Sequence, residues 1–178
     1  MVIISDTNIL SSFASADALN LLPKLFPHET IHIPPAVIEE LQAALDRGQT
    51  YVERVFNALS AGEIQPIELT IEERVLMSAL PSKLHDGERE GIVICQTRKY
   101  PFLSNDRRAV RYCEKNGIRA IALDALLRLL WIRRIISQDE VKALIKTMGT
   151  VEDLVLNKTQ RDFIFAPRRS RRRRRRKS

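Results

Sequence analysis

Four carboxylates lie at the ends of predicted strands or near the apolar faces of predicted helices, where acidic side chains can bind a ligand. Asp6 directly follows the apolar run VIIS, and Asp106 comes two residues after the run PFLS. Glu40 and Glu88 lie in segments with the apolar spacing of helices. An Asp after a strand is often only a helix N-cap, so each aspartate alone has two interpretations. If all four side chains converge, their mutual repulsion requires cations, and hard oxygen ligands suit Mg²⁺ or Mn²⁺.

Helical wheels separate these glutamates from their neighbours. In the helix predicted over 35–45, Glu40 lies at the edge of the apolar arc and Glu39 points away from it. In residues 84–96, Glu88 shares a face with apolar residues. A carboxylate on an apolar face costs on the order of several kcal/mol unless something compensates it. Glu88 is therefore the most informative of the four acids.

The remaining acidic residues near these positions have a simpler interpretation. Glu39, Asp86 and Glu90 flank the candidate ligands, and ordinary solvated charge is the favoured role over service as additional ligands. The three histidines are scattered without zinc spacing. Cys95 and Cys113 are expected to be small core residues. A carboxylate cluster with Mg²⁺ or Mn²⁺ is typical of phosphoryl transfer, and its natural substrate is a phosphodiester.

Short apolar strands alternate with helix-period segments along most of the chain. The pattern predicts strands over 2–5, 31–33, 101–104 and 118–123, a minor edge strand within 64–69, and helices over 35–45, 51–62, 87–99, 106–117 and 125–136. Thr70 with Glu73 and Ser137 with Glu140 have capping-box spacing, and Asp124 is expected to N-cap its helix. This alternation predicts a mostly parallel sheet between helices, an α/β/α sandwich whose ligand site lies at the carboxyl ends of the strands.

Composition limits the class of protein further. The chain of 178 residues fits one domain, with 44% hydrophobic residues. No apolar run approaches the roughly 18 residues that span a bilayer, because arginines interrupt the longest candidate, 125–136. With two cysteines and no signal-like start, a cytoplasmic protein without a membrane partner is expected.

The net charge of +7 divides unevenly along the chain. Residues 167–178 contain eight arginines and one lysine, so the rest of the chain has 20 basic against 22 acidic groups. This tail is expected to be disordered, because its like charges repel. An uninterrupted run of arginines in this tail would attract nucleic acid in a salt-sensitive way. The run consists of Arg171, Arg172, Arg173, Arg174, Arg175 and Arg176. Arg107 and Arg108 either contact RNA phosphates or form a solvated helix face.

Four short motifs, in this order, resemble those of the PIN-domain family, which includes the VapC-type toxin ribonucleases. They are DTNIL (6–10), PPAVIEEL (34–41), GEREGIVIC (87–95) and LSND (103–106). The third resembles the subgroup motif G-E-x-E-A-I. The resemblance covers 1–148 and implies an α/β/α sandwich, a divalent metal and hydrolysis of single-stranded or structured RNA.

The resemblance also implies roles for individual residues. By position, the catalytic metal ligands are Asp6, Glu40, Glu88 and Asp106. Asn8 and Ser104 would support them. Glu88 stands where the family usually has Asp, and Gly91 stands where the subgroup has Ala. Both departures bear on how active the site is.

These observations lead to one hypothesis and several alternatives. The hypothesis is a Mg²⁺- or Mn²⁺-dependent endoribonuclease, with the toxin of a toxin–antitoxin pair as one setting. RNA, an antitoxin protein and a second copy of the chain are the candidate partners. The predicted division is a nuclease domain over 1–148, an extension over 149–166 and the arginine tail, which either recruits RNA or enters the acidic site in cis.

Three other classes of function compete with this hypothesis. The first is a catalytically weak or inactive PIN-fold adaptor that binds RNA through its arginine tail. A phosphatase of the haloacid-dehalogenase type needs a second Asp where this chain has Asn8. A dinucleotide-binding protein needs a Gly-rich loop after the first strand, and the sequence has none there.

Overall fold

The computed structural model describes residues 1–152 and 154–167. Its central layer is a five-stranded parallel sheet. Its strands are β1 (Val2–Ser5), β2 (Thr30–Ile33), β3 (Ile64–Pro66), β4 (Phe102–Leu103) and β5 (Ala120–Ile121). Their spatial order is β3-β2-β1-β4-β5. The chain builds the sheet outward from β1 in one direction and then resumes on the other side of β1. This reversal places the topological switch point between β1 and β4.

Helices cover both faces of the sheet. They are α1 (Thr7–Ser15), α2 (Leu21–Leu25), α3 (Pro35–Asp46), α4 (Glu53–Ser60), α5 (Ile71–Met77), α6 (Asp86–Arg98), α7 (Arg107–Lys115), α8 (Leu123–Ile132), α9 (Gln138–Val151) and α10 (Lys158–Phe165). None of the described helices has both the length and the apolar character required to cross a bilayer.

Strand β1 explains why the molecule has three layers. Its consecutive residues Ile3 and Ile4 are both buried, and they belong to different hydrophobic clusters. Successive side chains of a strand point to opposite faces, so each isoleucine nucleates the core on its own side. The cluster around Ile3 includes side chains of α1 to α4 and α8 to α10, and the cluster around Ile4 includes those of α6 and α7. The predicted α/β/α sandwich with a parallel sheet is confirmed.

Local signals placed most helix ends correctly. Proline occupies the first turn of α3, and the capping boxes of Thr70 with Glu73 and Ser137 with Glu140 are formed. The helix predicted over 51–62 is instead a 3-10 turn, Thr50–Val52, followed by α4.

The predicted N-cap role of Asp124 is wrong. Helix α8 begins earlier, because β5 ends at Ile121 and Ala122 has the extended backbone of the N-cap. Asp124 lies within the first helical turn and accepts a hydrogen bond from its neighbour's backbone N–H, that of Ala125, at 2.7 Å. An acidic residue there still interacts favourably with the helix dipole.

The segment after residue 149 continues the fold. Helix α10 packs along α8, where the Trp131 indole N–H donates to the Ile164 carbonyl at 2.7 Å. The Arg128 guanidinium donates to the Phe163 carbonyl and lies 5.1 Å from the centre of the Phe163 ring. The domain division at residue 148 stays a prediction. The disordered tail was predicted over 167–178, of which residues 168–178 lie outside the described residues.

Candidate active site

Strands β1 and β4 deliver two aspartates to one edge of the sheet. The Asp6 backbone N–H donates to the Leu103 carbonyl at 3.0 Å, which fixes the end of β1 beside the end of β4. Asp6 Oδ1 accepts from the Ile9 N–H at 2.8 Å, and Asp106 Oδ1 accepts from the Ala109 N–H at 2.9 Å. Both aspartates are therefore helix N-caps. In each, this role uses only one of the two carboxylate oxygens.

The second oxygen of Asp6 has no such partner. Asp6 is 2% exposed, and its Oδ2 is buried without a hydrogen bond to any described residue. A buried polar atom without a partner costs about 1–3 kcal/mol, and more when the group is charged. The arrangement therefore leaves a strong acceptor available for a ligand.

Helices α3 and α6 supply the two glutamates, which are held by backbone N–H groups and by the Thr7 hydroxyl of α1. Glu40 Oε1 accepts from the Gly87 N–H at 3.1 Å, and Glu40 Oε2 accepts from the Thr7 hydroxyl. Glu88 Oε2 accepts from the His85 N–H at 3.0 Å. A Cβ on Gly87 would lie 3.0 Å from both Glu40 carboxylate oxygens. Glycine is therefore what allows the start of α6 to approach Glu40 this closely.

These acids line one cavity of about 760 Å³. Its carboxylates are Asp6, Glu40, Glu88, Asp106 and Glu152. Among the described residues, Arg47 is the sole lysine or arginine in the lining. The cavity therefore carries a strong excess of negative charge and attracts cations.

The two most buried acids of this cavity have raised pKa values, chiefly because they are buried. Burial raises the pKa of Asp6 to about 7, and the nearby charge of Glu88 adds to the rise. The nearby Ser104 hydroxyl and the hydrogen bond from the backbone of Ile9 partly offset it. Burial also raises the pKa of Glu88, with contributions from the charges of Asp106 and Glu40. A bound cation would stabilise the ionised form of every one of these groups.

The candidate ligand atoms are of the kind that hard divalent cations prefer. All the candidate ligand atoms are carboxylate oxygens, and one of them, Asp6 Oδ2, is buried without a partner. However, no group of three or more acidic, histidine or cysteine side chains in the described residues is arranged around a single point where it could hold a metal ion. The four acids share a cavity rather than a common centre. For three of these side chains to hold one cation, they would have to draw closer together than they are here.

The two predicted supporting residues lie beside the acids. Asn8 lines the cavity and is exposed. Ser104 is fully buried, and its Oγ accepts from the Asp106 N–H at 3.2 Å. Because Ser104 also lowers the pKa of Asp6, it links the two aspartates.

The two predicted nucleic-acid contacts that the structure describes lie outside the cavity lining. Arg107 and Arg108 are exposed and do not line the cavity, and the Arg108 guanidinium donates to the Lys83 carbonyl at 3.3 Å. Their contact with RNA stays a prediction. The run Arg171–Arg176 lies outside the described residues.

The wheel argument placed two of the three flanking acids correctly. Glu39 and Asp86 are exposed, as expected. Glu90 is buried instead, and it accepts a hydrogen bond from the Ala36 N–H at 2.8 Å. The expectation of a solvated Glu90 is wrong because α6 packs against α3 as well as against the sheet, so more than one of its faces is covered.

Glu152 is the acid that sequence reasoning missed. It follows the last residue of α9 and lines the cavity. Burial raises its pKa, and the nearby hydroxyl groups of Ser12, Tyr51 and Ser15 partly offset the rise. No motif or periodicity marks Glu152, because its place in the cavity depends on how α9 packs against α1.

The fold and this cavity define an α/β/α protein with an acidic site at the switch point of its parallel sheet. The model of the family DUF3368, a PIN domain, matches residues 2–164. The chain therefore belongs to the PIN-domain family, and the resemblance carried by its sequence motifs is confirmed.

A solved structure shows the same fold. A chain in the crystal structure of VapBC2 from Rickettsia felis, bound to a DNA fragment from their promoter, superposes with a TM-score of 0.55. The two sequences are 14% identical, and the match covers 68% of this chain and 98% of that chain. No curated protein matches the sequence.

Proposed function

We propose that this protein hydrolyses phosphodiester bonds of RNA at the acidic cavity, with Mg²⁺ or Mn²⁺ held by Asp6, Glu40, Glu88 and Asp106. The observation that carries the proposal is the buried, unpartnered Oδ2 of Asp6 in a cavity lined by five carboxylates. Such a site is costly for the free protein and is explained if a cation and an anionic substrate occupy it together. Membership of the PIN-domain family supports a nuclease.

The chain's own residues would orient the site. The Ile9 N–H fixes Asp6, and the Gly87 N–H and Thr7 hydroxyl fix Glu40, so neither carboxylate rotates freely. Ser104 holds the loop that presents Asp106. Divalent metal, when bound, would supply charge neutralisation of the phosphate and a more acidic water. These contacts set the orientation of each carboxylate, so that mainly the separation between the carboxylates would change when a cation binds.

The setting we propose is a toxin–antitoxin pair. The support is the shared fold with a chain of VapBC2, which is a different protein at low sequence identity. An antitoxin protein, a second copy of this chain and RNA are the proposed partners, and the arginine tail would raise the local concentration of RNA.

A matched pair of neighbouring glutamates tests the proposed chemistry. The full-length protein with Mn²⁺ should cleave RNA, and Glu40→Gln or Asp6→Asn should lower the cleavage rate by at least about 100-fold, more than the loss of an outer-shell partner. Glu39→Gln removes the same charge from the exposed side of α3 and should leave the rate unchanged. Equal rates for the Glu40 and Glu39 variants would refute the assignment.

The non-catalytic RNA-binding adaptor is the second candidate. It would use the arginine tail for affinity and would need no metal ion. Calorimetric titration with Mn²⁺ separates the two candidates. Binding that is lost in Glu40→Gln but not in Glu39→Gln supports the metal site, whereas RNA binding without either Mn²⁺ binding or cleavage supports the adaptor.

A further inference from the structure

A second cavity lies between α9 and α10, and its charge is opposite to that of the acidic cavity. Its volume is about 350 Å³, and side chains of both helices and of the connection between them line it. No described residue of its lining is acidic. We refer to this cavity as the basic groove. Its rim consists of the three cations Lys142, Lys146 and Arg161, and its floor consists of the apolar residues Ile145, Leu154 and Phe165.

The rim and the floor of the basic groove differ in exposure. All three cations are exposed, whereas the three apolar side chains are half-buried and pack against the main hydrophobic cluster. Apolar atoms at the bottom of a groove are reached by a side chain that enters it, and the surrounding cations then contact the groups that flank this side chain. A charged rim around an apolar centre is the usual arrangement of a protein–protein contact.

The rest of the described chain neutralises the cations of the rim only weakly. Lys146 and Arg161 form no ion pair within residues 1–152 and 154–167. The Arg161 Nε donates to the Leu156 carbonyl at 3.1 Å, and its terminal nitrogens have no hydrogen bond to any described residue. Lys142 pairs with Asp139 at 2.8 Å, but both side chains of this pair are exposed, and such pairs contribute little. The rim therefore keeps positive charge that a ligand can use.

We infer that the basic groove binds an acidic segment of another protein, with one apolar side chain of that segment on the floor and its carboxylates against the rim. Charge complementarity carries the inference, because three cations with no described acid among them are concentrated here, although residues 1–166 have only 20 basic against 22 acidic groups. The inference is independent of the proposed function, since it needs neither a metal ion nor the hydrolysis of RNA.

Two other anionic occupants fit the basic groove less well. A base of nucleic acid binds by stacking on an aromatic ring, but the one ring in the described lining, that of Phe165, already has the Lys142 ammonium 5.9 Å from its centre. An anionic membrane binds apolar side chains that enter the bilayer, and those of the groove are half-buried at its floor. A flexible acidic segment with one apolar side chain satisfies both the rim and the floor.

Binding of a synthetic peptide to the full chain tests the inference. The probe is a fluorescent peptide of sequence DEELEED, and its matched partner is DEEAEED, in which alanine replaces the leucine. Fluorescence anisotropy at physiological salt should give a dissociation constant at least about fivefold lower for the leucine peptide, because only that peptide fills the floor. Residues 167–178 contain nine cations but no large apolar side chain, so attraction to the tail contributes equally to both peptides.

Variants of the rim locate the binding site. Lys146→Gln and Arg161→Gln should each weaken binding of the leucine peptide by about two- to fivefold. The matched controls Lys158→Gln and Arg119→Gln remove the same charges at exposed positions outside the groove and should leave the dissociation constant unchanged. Equal binding of the two peptides to wild type, or rim variants that bind as the controls do, would overturn the inference.

Two further ligands separate an acidic segment from the other occupants. A single-stranded RNA oligonucleotide and vesicles of phosphatidylcholine with phosphatidylglycerol should each bind the rim variants as they bind the controls. If the rim variants weaken binding of RNA or of vesicles as much as they weaken binding of the peptide, the groove is a nucleic-acid or membrane site and the inference is overturned.

Cleavage of RNA with Mn²⁺ keeps this inference distinct from the proposed function. Rim variants should cleave at the same rate as the controls, because the groove is lined by none of the proposed metal ligands. Selective binding of the leucine peptide without cleavage by any protein upholds the groove and refutes the hydrolysis. Cleavage without selective binding of the leucine peptide refutes the groove and upholds the hydrolysis.

Discussion

At the scale of single residues, the Asp6 carboxylate has two roles: one oxygen caps a helix, and the other is available to a ligand. Oδ1 caps α1 through the Ile9 N–H, while Oδ2 is buried without a partner among the described residues. The cap stabilises the fold and the unpartnered oxygen destabilises it. Functional sites often carry such local costs because their ligands remove them.

Replacing Asp6 by Asn separates the two demands. Asn keeps the Oδ1 acceptor of the cap but removes the buried charge, so without metal the variant should melt higher than wild type by a few degrees, at about 2–4 °C per kcal/mol for a chain of this size. Mn²⁺ should raise the melting temperature of wild type and leave that of Asp6→Asn unchanged. Thermal unfolding in EDTA and in Mn²⁺ measures both effects.

The exposed Asp86 provides the control for this prediction. Asp86→Asn should change neither the melting temperature in EDTA nor its response to Mn²⁺, because Asp86 lies at the surface in an ion pair with Arg89. A lower melting temperature for Asp6→Asn in both conditions would mean that Asp6 is chiefly a structural residue.

Gly87 controls the position of Glu40. An added methyl group would lie 3.0 Å from both Glu40 oxygens and from Val37 Cγ2. Gly87→Ala should therefore displace the Glu40 carboxylate and weaken Mn²⁺ binding by about tenfold or more. Stability should change by less than about 1 kcal/mol, because the higher helix propensity of Ala offsets the contact. Calorimetric titration and chemical denaturation measure the two quantities.

A double-mutant cycle checks that Gly87 acts through Glu40. In the Glu40→Gln background, Gly87→Ala should have little further effect on Mn²⁺ affinity. Additive losses in the two variants would show that the methyl group disturbs the site by another route.

The residue scale also shows what could be read from sequence. Asp6 and Asp106 follow strands, and the carboxyl ends of neighbouring parallel strands meet at one edge, so their proximity was predictable. Glu40 and Glu88 were singled out by their positions on helix wheels, and both line the same cavity. Their role as metal ligands stays a prediction. Glu152 was not predictable, because only the packing of α9 brings it there.

At the scale of elements, the contact between α6 and β4 explains a departure from the subgroup motif. A Cβ on Gly91 would lie 2.5 Å from Cε2 of Phe102, closer than two such atoms approach in proteins. Helix α6 can pack this closely on the sheet only because residue 91 has no side chain. The glycine where the subgroup has Ala is thus coupled to the large aromatic residue of β4.

This coupling predicts the sign of a substitution. Gly91→Ala should lower the free energy of unfolding by about 1–3 kcal/mol, the usual cost of overpacking. In open space the same change would raise it, because Ala is favoured over Gly in a helix by about 1 kcal/mol. Chemical denaturation of Gly91→Ala measures the effect.

The smaller residue Leu at position 102 should relieve the clash. Phe102→Leu alone should lower the free energy of unfolding. The double variant should lose less free energy of unfolding than the sum of the losses in the two single variants. Strict additivity, or a stabilising Gly91→Ala, would contradict the proposed contact. The sequence does not reveal that Gly91 and Phe102 are in contact, because this depends on the distance between α6 and β4.

At the scale of the whole molecule, the core extends past the predicted domain boundary. Strand β1 lies at the centre of the sheet, and the same hydrophobic cluster that contains Ile3 also contains Leu156 and Ile164. Predicting the sheet was straightforward, because its strands are short apolar runs between helices. The docking of α10 was not predictable, because residues 149–166 carry no strong periodicity and their partner, α8, is distant in sequence.

Substitution of Ile164 tests whether α10 is an integral part of the domain. Ile164 is fully buried, and its carbonyl accepts the Trp131 indole hydrogen bond. Ile164→Ala should therefore lower the free energy of unfolding by about 2–5 kcal/mol in a single cooperative transition. Val155→Ala removes apolar atoms from the same segment at an exposed position and should cost less than about 0.5 kcal/mol. If the two variants unfold alike, α10 is an appendage and the domain ends near residue 148. If only Ile164→Ala is destabilised, α10 and the helices that line the acidic cavity belong to one folding unit.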